Sequence, residues 1–110
     1  MFIALSVSIS VTTALRPVIA RLERRNPAMA KQLVNAASSV ALNLAEGAQR
    51  RGKDQMHLYR IAAGSASEAR TALEVSRGLG WLDGLDLTEL ESLLDRQAAL
   101  LYRLLNPARR

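Results

Sequence analysis

The sequence predicts an all-helical protein, and three observations carry that prediction. Leu, Val, Ile and Ala recur at three- and four-residue steps through four separate segments, the period of one helix face. Helix-breaking residues punctuate those segments at Asn26-Pro27, at Arg51-Gly52 and across Gly78, Gly80 and Gly84. The connections between segments are short, which makes neighbours antiparallel and an up-down-up-down four-helix bundle the expected architecture.

The first helix is expected over residues 4–24, with Val7, Val11, Leu15, Val18 and Leu22 on its buried face. The same stretch also alternates Ile3, Leu5, Val7, Ile9 and Val11 with Ala4, Ser6, Ser8 and Ser10, which is a strand period. A lone strand would have nothing to pair with, so helix is preferred, and the state of residues 1–13 stays open. Pro17 lacks a backbone donor, so a kink or a late start is expected there.

The second helix is expected over 28–50. Asn26 can cap it and Pro27 suits its first turn. Met29, Leu33, Ala36, Val40 and Leu44 form its core face. The third helix is expected over 54–79, with Leu58, Ile61, Ala62, Ser65, Ala69, Leu73 and Ser76 on one face. That face is small in its middle, which permits close helix approach. Gly64 costs about 1 kcal/mol against Ala inside a helix, and a tight backbone contact would explain it. The fourth helix is expected over 87–105, capped by Asp86. Leu87, Leu90, Leu94, Leu101 and Leu105 form one stripe on it, and Leu93, Leu100 and Leu104 form a second. Two apolar stripes suit two neighbours, one of them a second subunit. Asn106-Pro107 ends this helix.

A chain of 110 residues is expected to be one domain, residues 1–110. Its 49% hydrophobic content predicts folding rather than disorder, and its 4% aromatic content leaves an aliphatic core. With no cysteine, disulfides, thiol catalysis and Cys-based zinc sites are excluded, and a cytoplasmic location is expected. No apolar run reaches the ~18 residues of a bilayer span, so no membrane role is expected. The first basic residue, Arg16, follows the apolar start rather than preceding it, so no signal peptide is expected.

The net charge of +5 is uneven. Residues 1–53 hold eight Lys or Arg against two acids, whereas residues 54–110 hold seven against eight. A basic half points to an anionic partner, of which RNA or DNA is the commonest. Excess arginine that merely solvates the surface is the competing explanation.

One pattern is specific. Gln32-Leu33 precedes Ala36-Ala37-Ser38-Ser39-Val40, then Asn43-Leu44-Ala45-Glu46-Gly47. Arg51-Gly52-Lys53-Asp54 follows, then Ile61-Ala62-Ala63-Gly64-Ser65-Ala66 and Glu68. This pattern resembles the bacterial four-helix-bundle family named after the 23S rRNA intervening-sequence protein. That family includes the accessory variability determinant proteins of diversity-generating retroelements. The resemblance covers roughly residues 16–82. It implies a ring-like homopentamer. For retroelement-associated members it also implies binding to nucleic acid and to a reverse-transcriptase-type protein partner through a basic surface. Relatives often carry a basic pair after Gln32-Leu33, where this chain has Val34 and Asn35, so positive charge is missing there.

The polar residues of the shared pattern are Asn43, Glu46, Ser65 and Glu68. Each helix places its two on one face, so a hydrogen-bonded network between helices is the preferred reading over a catalytic acid pair. His57 is the one histidine, and Asp54-x-x-His57 only superficially echoes a di-iron half-site, so no metal is expected. Nothing resembles a phosphate loop, a nucleophile elbow or a zinc motif, so neither an enzyme nor a cofactor is expected.

The sequence therefore reads as a non-catalytic homo-oligomeric module that binds nucleic acid. Arg50, Arg51 and Lys53 are the first candidates for phosphate contacts, and Arg21, Arg24, Arg25 and Lys31 the second. The alternative is a scaffold ring that binds only protein. Few aromatics are available for base stacking, so any binding should follow the phosphate backbone.

Overall fold

Pro17 divides the first expected helix into two. In the computed structural model, which describes residues 2–107, α1 (Ile3–Ala14) and α2 (Arg16–Arg25) meet at Leu15 with a 45° bend. A proline ring removes its own donor and crowds the carbonyl four residues earlier, here Thr13. The backbone bonds from Leu15 to Val11 (2.9 Å) and from Ile19 to Leu15 (2.8 Å) persist through the bend. Val7, Val11, Leu15, Val18 and Leu22 therefore form one continuous buried line. The strand alternation at the start of the chain is overruled, because helical period places this line against the rest of the core.

Asn26 caps α3 (Pro27–Ala48), its side chain accepting from the Met29 N–H at 3.1 Å. Leu33, Ala36, Val40 and Leu44 are buried as expected, and Met29 is only partly so. Three residues then lead to α4 (Gly52–Gly78). Gly52 has φ +58°, a left-handed conformation that a side chain would strain. Gln55 folds back and donates to the carbonyls of Gly47 (3.0 Å) and Arg50 (2.9 Å), satisfying the free end of α3. On α4 the buried face is Tyr59, Ala62, Ala69, Ala72, Leu73 and Ser76. Ile61, expected inside, is exposed, and Tyr59 takes the core position instead. Burial pushes the Tyr59 hydroxyl pKa up. The last helix is α5 (Thr88–Leu105). Asp86 lies just before it and accepts from the Thr88 N–H at 3.0 Å.

The core forms two clusters. One joins Leu15, Leu22, Leu33, Leu73, Leu90 and Leu94; the other joins Ala4, Leu44, Tyr59, Ala62 and Leu101. Helices α1, α3, α4 and α5 each contribute residues to both clusters, whereas α2 contributes to the first alone. In contact, α3 lies between α1–α2 and α4, and α5 lies between α4 and α1. Both leucine stripes of α5 are used within the chain: Leu93 packs on the first cluster, and Leu100, Leu104 and Leu105 on the second.

One polar pair crosses the core. Gln97 donates to the Ser8 hydroxyl at 3.0 Å, and Ser8 donates to the Ala4 carbonyl at 2.8 Å. Among the described residues, no single helix is long and apolar enough to cross a membrane.

Candidate nucleic-acid interface

The first basic group sits where α3 turns into α4. Arg50 lies between two acids, each four residues away. It donates to Glu46 at 3.1 and 2.8 Å and to Asp54 at 2.6 Å. The Asp54 and Glu46 carboxylates raise the Arg50 pKa above its ordinary value. Its charge is engaged by these two carboxylates. Arg51 and Lys53 are exposed and form no ion pair among the described residues. Lys53, His57 and Arg60 are spaced by four and three residues, so they share one outward face of α4. Sequence reasoning missed Arg60, although that spacing was visible.

The second group sits at the other end of α3, about 33 Å away for a 22-residue helix. Its members divide by role. Arg21 donates to the carbonyls of Trp81 (3.2 Å) and Asp83 (2.9 Å), so it ties α2 to the connection between α4 and α5. Arg24, Arg25 and Lys31 are exposed. Arg24 and Arg25 fall in the last turn of α2, where cations complement the helix dipole.

The expected polar network exists in altered form. Asn43 donates to the Ser39 carbonyl (2.9 Å) and hydroxyl (3.1 Å), and Ser65 donates to the same hydroxyl at 2.8 Å. Ser39, absent from the expected set, is its hub. Glu46 belongs instead to the Arg50 ion pair, and Glu68 is exposed on α4. Both point away from the seam, because the α3–α4 contact runs along Ser39 and Ser65.

The close-packing role expected of Gly64 is corrected. A Cβ there would meet nothing within 4 Å. Gly64 follows Lys53, His57 and Arg60 on the outward stripe of α4, away from the buried line of Ala62 and Ala69. The glycine that permits close approach is Gly47, where a Cβ would lie 2.7 and 2.9 Å from the Tyr59 ring. The signal for it in the sequence is the glycine that closes the Asn43–Gly47 pattern.

His57 is exposed, and Asp54 is engaged with Arg50. Among the described residues, no three His, Asp or Glu side chains converge as a metal site would require.

A comparison with curated proteins returned no match. Among solved structures, the chain is similar to a protein of unknown function from the S23 ribosomal protein family of Bacteroides thetaiotaomicron. The TM-score is 0.76 at 18% identity, covering 94% of this chain and 98% of that one. At that identity the likeness concerns the fold. The family model for the 23S rRNA-intervening sequence protein matches residues 6–103. That match, reaching into all five helices, means that the chain belongs to the 23S rRNA-intervening sequence protein family.

Proposed function

We propose that this chain is a non-catalytic, homo-oligomeric accessory module of the cytoplasm, which binds the phosphate backbone of RNA or DNA. In this reading the bent α1–α2 counts as one member of an up-down-up-down four-helix bundle, and copies assemble as a ring. One observation carries the nucleic-acid assignment. Arg51 and Lys53 at the start of α4, and Arg60 about two turns further along it, have no ion-pair partners among the described residues, while nearby Asp54 is occupied by Arg50. Repetition of this patch around a ring would multiply weak contacts by avidity.

The second reading is a protein scaffold ring without nucleic acid. It is favoured by the internal engagement of Arg50 and Arg21, which leaves less free positive charge than the sequence suggested.

Binding of a mixed RNA and DNA oligonucleotide pool at two salt concentrations separates the two. The nucleic-acid module binds at low salt and releases at high salt, because each phosphate contact adds ~0.9 to the salt slope. The double substitution Arg51→Glu with Lys53→Glu should weaken binding at least ~10-fold and leave the mass of the assembly unchanged. Protein that ignores the oligonucleotides even at low salt overturns the assignment in favour of the scaffold.

A further inference from the structure

We infer that the groove between α4 and α5 binds an uncharged aromatic molecule carrying one N–H or O–H group, with the Gln97 amide oxygen as its acceptor. The inference does not depend on the nucleic-acid or assembly readings above. The groove has a volume of about 590 Å³, within the roughly 300–1,000 Å³ of small-molecule sites. Ala66 and Val75 of α4 and Leu94, Ala98 and Leu101 of α5 give it an apolar lining. Tyr102, 67% exposed, adds an aromatic ring to that lining.

Gln97 sets the chemistry of the groove. It belongs to the lining, yet it is only 4% exposed. Its Nε2 donates to the Ser8 hydroxyl oxygen at 3.0 Å. Ser8 has one hydroxyl proton and donates it to the Ala4 carbonyl at 2.8 Å. Toward Gln97 that hydroxyl can therefore only accept. This fixes the amide, with Nε2 turned to α1 and Oε1 left as the group without an assigned role.

Among the described residues, none donates a hydrogen bond to Oε1. Among the same residues, no side-chain polar atom shut off from solvent lacks a partner. Oε1 therefore opens onto accessible space, and the groove is the space that Gln97 lines. An acceptor on a side chain so nearly buried has little room for water. A ligand donor that reaches it replaces poor hydration with a hydrogen bond.

Charge and shape narrow the ligand class. The charged residues in the lining are already paired, Arg70 with Asp95 and Glu74 with Arg77. A charged ligand would have to break one of these pairs to gain a counter-ion. One buried amide oxygen among apolar side chains matches a small molecule with one donor, whereas an extended peptide presents a row of them. The exposed Tyr102 ring favours an aromatic ligand, because paired rings gain more than their buried area.

The test titrates the whole protein with N-phenyl-1-naphthylamine, a neutral fluorophore with one N–H that brightens in apolar surroundings. Its N-methyl derivative lacks the donor, and 8-anilinonaphthalene-1-sulfonate adds a charge to the same rings. The N–H probe should saturate and bind roughly 3- to 10-fold more tightly than the N-methyl probe, the worth of one net hydrogen bond. The sulfonate should bind more weakly than the N–H probe. Gln97→Leu should erase the preference for the N–H probe while still binding the N-methyl one. Ala98→Phe, at an exposed position of α5, should fill the groove and abolish binding of both. Should Gln97→Leu fail to fold, the wild-type preference and Ala98→Phe carry the test. Absence of saturable binding, binding unchanged in Ala98→Phe, or a preference that persists in Gln97→Leu each overturns the inference. Tighter binding of the sulfonate overturns the uncharged class. A signal that fades as protein concentration rises gives the groove to a neighbouring chain and overturns the inference as well.

Discussion

The two seams that α4 makes with its neighbours are built from similar residues and end differently. Against α3, small residues give close contact: Gly47 admits the Tyr59 ring, Ala62 and Ala69 are buried, and Ser39 bonds Ser65. Against α5, Ala63, Ala66, Ser67 and Thr71 leave an open groove, closed only at its rim by the Arg70–Asp95 and Arg77–Glu91 ion pairs. Small side chains allow two helices to meet, but they do not compel them to. The three-residue link from α3 brings its partner in. The nine-residue link to α5, and the packing of α5 on α1, hold the other partner off.

The contrast predicts opposite responses to added volume. Gly47→Val should lower unfolding free energy by about 1–3 kcal/mol through overpacking against Tyr59. Ala98→Leu in the groove should change it by no more than about 0.5 kcal/mol, measured on monomeric protein by chemical denaturation. Comparable losses at both sites would show that the groove is closed in solution. An effect smaller than that of Gly47→Val and opposite in sign is expected at Gly64. Gly64→Ala has open space and should stabilise the fold by up to about 1 kcal/mol, seen as a raised Tm. A lowered Tm would mean that Gly64 makes a contact in solution that the isolated chain does not contain.

The same contrast explains what could be read in the sequence. The line from Val7 to Leu22 was legible because five buried residues kept one helical period across a proline. The break at Asn26-Pro27 was legible from capping chemistry alone. The choice between Gly47 and Gly64 was not, because both lie among small residues and only the facing helix decides which is crowded. The pairing of Arg50 with Glu46 and Asp54 was available from four-residue spacing, since each acid lies one helical turn from the arginine. Arg21 could not have been assigned, since its carbonyl partners lie 60 and 62 residues away.

The hydrogen bond between Gln97 and Ser8 spans 89 residues. A contact of that separation carries a larger loop-closure cost than the α3–α4 hairpin, which closes through a three-residue link. Assembly order follows from this difference. The α3–α4 pair should acquire protection early in pulsed hydrogen exchange, and α1 should acquire it only when α5 is present to dock against. During synthesis α1 therefore waits, without its final neighbour, until α5 has been made.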